Sequence, residues 1–176
     1  MSGHNKWSKI KRQKEGTDAA KSKTFSKMAR AIATASRLAG GDTSSPVLRT
    51  AIDKAREYNM PNDNIERAIK KGVGPDVEAM ENITYESYGP GGCALVIEAL
   101  TSNRNKAAQE VKFILSKHGF ALAGVGSATW AFGKEGGEWV PKQTLPISEE
   151  DSAILQKLID ELEDNDEVQD VYTNAE

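Results

Sequence analysis

Apolar positions change their spacing near Gly74-Pro75. Before that point they recur at three and four residues, the period of a helix with one buried side. A first helix is predicted from about Thr17 to Ala39, closed by Gly40 and Gly41. Phe25, Met28, Ile32, Ala35 and Ala39 fall on one side of it, and Lys23, Lys27, Arg30, Thr34 and Arg37 on the other. Ser45 as cap and Pro46 in the first turn announce a second helix that buries Leu48, Ile52 and Ala55 and stops near Tyr58 to Met60. Pro61 opens a third through Ile65, Ala68 and Ile69, with Gly72 as terminator. The first dozen residues carry no such pattern and read as an arm whose anchors are Trp7 and Ile10.

Beyond the junction the signals are those of strands and hairpins. Ile83 to Tyr88 and Cys93 to Thr101 are β-rich runs separated by Gly89-Pro90-Gly91-Gly92. Asn103 caps a helix to about Lys117 that buries Val111, Ile114 and Leu115, and Gly119 ends it. A strand through Ala128 to Phe132, a turn at Gly133 to Gly137 and an extended stretch Trp139 to Leu145 follow. Ser148 with Asp151 starts a helix on Ile154, Leu155, Leu158, Ile159 and Leu162, and Val168 to Tyr172 alternates like a strand. The expected architecture is α+β: a three-helix domain over residues 1–74, then a ferredoxin-like α+β sandwich over 75–176.

Charge sharpens this division. The net charge of -3 conceals 16 Lys and Arg against 7 Asp and Glu from Met1 to Gly72, a balance of +9, and 7 against 19 from Val73 to Glu176, a balance of -12. Positive charge packed into a small segment repels itself unless a polyanion neutralises it, so the first half is the expected contact surface for nucleic acid. The acidic half could dock a basic protein partner or fold back on the arm. One cysteine, Cys93, fits a reducing cytoplasm, and no apolar run reaches the length of a membrane span. Catalysis finds little support: His4 and His118 have no cysteine or carboxylate at metal spacing, and Cys93 sits inside an apolar strand. The run Glu161, Glu163, Asp164, Asp166, Glu167 reads as a solvated helix end rather than a metal cage. No cofactor, membrane or small-molecule substrate is implied, and a nuclease acting on structured DNA is the remote enzymatic alternative.

Candidate contacts are Lys6, Lys9, Lys11, Arg12, Lys14, Lys21, Lys23, Lys27, Arg30 and Arg37. Such groups grip phosphates and release counterions, fixing position without reading sequence. Trp7 could stack on an exposed base or pin the arm to the helices. Arg104, at a helix start, is a secondary phosphate candidate in a segment that also serves as ordinary capping chemistry. The loop Gly89 to Gly92 suits a hairpin turn better than an anion nest, because Pro90 offers no N–H.

Gly3-His4-Asn5-Lys6-Trp7, Ile10-Lys11, Asp18, Gly40-Gly41-Asp42 and Asn59-Met60-Pro61 with Ile65-Glu66-Arg67-Ala68-Ile69 resemble the amino-terminal domain of the YebC family. The resemblance continues through Tyr85-Glu86-Ser87-Tyr88-Gly89-Pro90-Gly91-Gly92, Asn103-Arg104-Asn105, Ser116-Lys117-His118-Gly119, Gly126-Ser127 with Trp130 and Phe132, and Val171-Tyr172-Thr173-Asn174-Ala175. Members of that family usually carry a third, acidic domain between the segments that here end near Phe132 and begin at Trp139, and only Gly133 to Glu138 stands there. Ser87, Ser102 and Phe120 replace expected Gly, Asp and Gly. The resemblance implies a non-enzymatic DNA-binding transcriptional regulator. Its alternative is a translation factor acting on ribosomal RNA or stalled ribosomes, as the mitochondrial activators of cytochrome oxidase do.

Overall fold

The structure, a computed structural model, describes Trp7 and residues 16–176. It divides into two compact units, one of residues 11–80 and one that joins Glu81–Glu176 to Trp7.

The first unit holds α1 (Asp18–Ala39), α2 (Pro46–Glu57) and α3 (Asn62–Gly72). Thr17 caps α1 by accepting the Ala20 N–H at 3.2 Å, and Gly40, at φ 62°, ends it in the left-handed conformation. Met28, Ile32 and Ala35 of α1 close a core with Leu48, Ile52 and Ala55 of α2 and Ile65 and Ala68 of α3. Gly72 has a different role from the one the sequence suggests. It is the last residue of α3, buried, and a Cβ there would lie 2.3 Å from the Ala33 carbonyl oxygen and 2.7 Å from the Ser36 Cβ. Its missing side chain lets α3 lie against α1, where the Ser36 hydroxyl donates to the Ile69 carbonyl at 2.7 Å.

The second unit is built on β1 (Glu81–Tyr88), β2 (Ala94–Thr101) and β5 (Val168–Thr173), an antiparallel sheet in the order β1-β2-β5. Between β2 and β5 in the chain come α4 (Arg104–Lys117), the hairpin β3 (Phe132–Glu135) and β4 (Glu138–Pro141), and α5 (Glu149–Asp164). The α+β class holds, with three strands in the main sheet where a ferredoxin-like sandwich has four. β2 is central and covered on both faces, which explains its unbroken apolar run. Leu95 and Ile97 pack with Val111 and Leu115 of α4 and Leu155 and Leu158 of α5, in a core that also takes Trp7. Ala94 and Val96 face Ala128, Ala131 and Phe132. Gly136 and Gly137, at φ 57° and 82°, supply the two left-handed residues that a tight β3–β4 turn requires.

The strand expected through Ala128 is a short 3-10 turn at Thr129–Ala131, and the strand begins only at Phe132. Buried Glu86 is the cause. Its Oε1 accepts the N–H groups of Ala128 at 2.9 Å and Thr129 at 2.7 Å, and its Oε2 that of Gly126 at 2.7 Å. Burial opposes the charge, but the backbone donors from Gly126, Thr129 and Ala128 hold the carboxyl below its usual range.

Two stability outcomes follow from these contacts. Alanine is intrinsically better than glycine in a helix by roughly 1 kcal/mol, yet Gly72→Ala is expected to lower stability by about 1–3 kcal/mol through overpacking. Urea denaturation of the full chain measures it, and a gain in stability would contradict the close approach. Glu86→Gln turns an acceptor into a donor facing N–H groups and should cost about 1–3 kcal/mol at neutral pH. Because the folded carboxyl is depressed, its contribution is full above the unfolded value of about 4.3 and disappears as pH falls through the folded one. The gap between wild type and Glu86→Gln, measured by denaturation from pH 7 to pH 3, should therefore narrow with acid.

Candidate nucleic-acid interface

One face of α1 packs, so its charges collect on the other. The helix carries Lys21, Lys23, Lys27, Arg30 and Arg37 against a single carboxylate, Asp18, in its first turn. Lys23, Lys27, Arg30 and Arg37 follow one another at four, three and seven residues, which keeps them on one side. Arg37 is exposed, while Lys23, Lys27 and Arg30 are half-buried, the condition of long cationic side chains whose stems lie along the protein. Arg30 directs Nη2 to the Met80 sulfur at 3.9 Å. Lys21 is exposed but stands four and seven residues before Phe25 and Met28, on the apolar side of the helix.

Of the remaining residues expected from the sequence, Lys6, Lys9, Lys11, Arg12 and Lys14 lie outside the described residues. Over residues 16–72 there are 11 Lys and Arg against 6 Asp and Glu, so +5 of the first half's +9 stays with the described residues and +4 belongs to residues 1–15. Trp7 is buried in the core with Cys93, Leu95 and Ile97, which leaves no ring face open for a base. Its ring packs in the second unit and not among the three helices. Arg104 is also committed elsewhere: Nε and Nη2 each donate to the Glu81 carboxylate at 3.1 Å. That pair holds Glu81 below the usual carboxylate range, and a phosphate would have to displace it. Asn103 caps α4 by accepting the Lys106 N–H at 3.1 Å.

The structure adds two cations the sequence reading passed over. Lys70 and Lys71, exposed in the last turn of α3, stand immediately before the glycine that touches Ala33 and Ser36 of α1. Their sequence signal was a lysine pair against a helix-ending glycine. Only the contact of Gly72 with α1 places them near its last turns.

The catalytic alternative gains no constellation. Among the described residues, no group of three or more His, Cys, Asp or Glu is placed to hold a metal ion. His118 does meet a carboxylate in space, since its Nε2 lies 2.6 Å from Glu161 Oε2, while Lys117 Nζ donates to Oε1 at 2.8 Å. These contacts, from Lys117 first and His118 second, keep Glu161 below its ordinary range and tie α4 to α5. Glu167 is buried and pairs with Lys106 at 3.2 Å, so the two ends of the acidic run, Glu161 and Glu167, are taken up by contacts within the unit. Burial pushes the Cys93 thiol up, away from nucleophilic chemistry.

Residues 5–75 match the TACO1/YebC protein N-terminal domain, and residues 80–137 and 137–175 match the TACO1/YebC second and third domain. The two pieces of the latter match meet at Gly137, in the β3–β4 turn. A relative from Pseudothermotoga lettingae, called a probable transcriptional regulatory protein, is 37% identical over 239 residues, covering 100% of this chain and 94% of its own. That alignment exceeds the 176 residues of the chain, so the relative carries residues without a counterpart here. Another of the same description, from Petrotoga mobilis, is 46% identical over 179 residues, covering 100% of this chain and 71% of its own. A crystal structure of a conserved hypothetical protein from Aquifex aeolicus superposes with a TM-score of 0.74 at 32% identity, covering 90% of this chain and 91% of that one. With both units matched and the fold shared, the chain belongs to the TACO1/YebC family.

Proposed function

We propose that this protein is a regulator of gene expression that acts by gripping a nucleic-acid backbone, making and breaking no bonds. The observation that carries the reading is the cationic side of α1, opposite the face that packs on α2 and α3. Lys23, Lys27, Arg30 and Arg37 form it, the arm cations Lys6, Lys9, Lys11, Arg12 and Lys14 extend it in sequence, and Lys70 and Lys71 enlarge it at the end of α3. Charged groups of this kind position a sugar-phosphate chain and tolerate many sequences. The description of the relatives as probable transcriptional regulatory proteins supports DNA as the target and a soluble, cytoplasmic place of action. The α+β unit orients the helices on the target or engages a protein.

Engaging about six phosphates gives a slope of roughly -5 in log affinity against log salt on duplex DNA. Reversing Lys23, Lys27 and Arg30 to glutamate should weaken binding by a comparable factor on unrelated sequences and flatten that slope by about 2–3. Filter binding over a salt series, with duplex DNA and structured RNA in parallel, reads both. Loss confined to one sequence, or an unchanged slope, contradicts the backbone grip. Retention of ribosomal RNA in preference to DNA, with cosedimentation on ribosomes, would move the target from transcription to translation.

A further inference from the structure

α2 and α3 each pack on α1 and part from one another, and the space where they part is a groove of 490 Å³. Its walls are two helical stripes of matching period. Arg49, Ile52, Asp53 and Arg56 come from α2, and Asn62, Ile65, Glu66 and Ile69 from α3. Buried Ile52 and Ile65, with half-buried Ile69, make an apolar floor. Exposed Arg49, Asp53, Arg56 and Glu66 stand at the rim. Arg56 and Asp53 are 3.8 Å apart in an exposed ion pair, a contact weak enough to open for a ligand.

We infer that this groove receives one unstacked guanine of a single-stranded nucleic acid. The inference rests on the nucleic-acid reading above and deepens it. The volume suits a nucleoside, and half-buried Ile69 leaves apolar surface for the face of a base, which is accessible only when the base has left its stack. The polar rim selects among bases. A carboxylate accepts from two donors side by side, and guanine alone presents N1–H next to an exocyclic amine on one edge with two acceptors, O6 and N7, on another. Asp53 and Glu66 match the first edge, and Arg49 and Arg56 match the second or the flanking phosphate. Adenine and cytosine each set their amine beside a ring acceptor, and uracil has one ring N–H and no amine, so none of them offers a carboxylate two donors side by side.

The test is fluorescence anisotropy with labelled uridine octamers whose central residue is uridine, guanosine, adenosine or inosine, and with the deoxy counterparts. Guanosine should bind about ten-fold tighter than uridine. Inosine, which lacks the exocyclic amine, should lose most of that gain. Asp53→Asn with Glu66→Gln should abolish the preference while the all-uridine octamer binds at least as tightly as before, two negative charges having been removed, with thermal unfolding confirming an intact fold. A preference seen in both sugars assigns recognition to the base, and one seen only in RNA adds the 2′-hydroxyl, and each supports the groove. Equal binding of all octamers, or an equal loss for all of them in the double variant, overturns the inference and leaves the phosphate grip standing. No binding of any octamer by the wild type at low salt overturns the inference, and if duplex DNA and structured RNA are not retained either, the phosphate grip falls with it.

Discussion

The three-helix unit depends on how closely α3 approaches α1. A helix with apolar residues on one stripe must bury that stripe, and here α2 and α3 share the task from two sides. The approach at Gly72 is set by backbone against backbone, with no side chain between, and the Ser36 hydroxyl satisfies a carbonyl at the same contact. Once α2 and α3 are seated on α1, Lys23, Lys27, Arg30 and Arg37 have only the opposite side left to them. The cationic face is therefore a consequence of the packing. The groove between α2 and α3 has the same origin, since two helices that both spend their apolar stripe on a third meet each other poorly.

The α+β unit solves a different problem. Its central strand needs cover on both faces, and two structures provide it: α4 with α5 on one, the β3–β4 hairpin with the loop before it on the other. A loop rich in glycine makes a poor lid unless something fixes its backbone, and the buried Glu86 carboxylate does so through three N–H groups. The hairpin ends in Gly136-Gly137, where the family match breaks, so this chain closes directly what its relatives extend. Carboxylates are abundant in this unit, but those at Glu81, Glu86, Glu161 and Glu167 are engaged by arginine, backbone, lysine with histidine, and lysine in turn.

What the sequence discloses is local, and what it conceals is contact across distance. Thr17, Asn103 and Ser148 cap helices where their spacing to the following apolar stripe says they should, each accepting the N–H three residues on. Ser45 holds its cap position without a side-chain bond, because Pro46 sets the helix start by itself. The faces of α1 and the double-sided burial of β2 are legible from period alone. Gly72 looks like a terminator, because close packing and helix termination leave the same residue in the sequence. The turn at Thr129–Ala131 is hidden because a carboxylate more than 40 residues upstream imposes it. Trp7 and Arg104 show the same limit at the candidate site: an aromatic ring and a guanidinium advertise binding chemistry, and only the fold reveals a core and a Glu81 carboxylate as their partners.

The central claim is that nucleic acid meets this protein on the cationic side of α1. Amide chemical-shift mapping of the full chain during titration with a short nucleic-acid duplex at low salt tests it most directly. The account predicts that perturbed amides cluster from Lys23 to Arg37 and at Lys70 and Lys71, and fade together as salt rises. Perturbations concentrated on α4, α5 or the β3–β4 hairpin, with α1 unmoved, would contradict it.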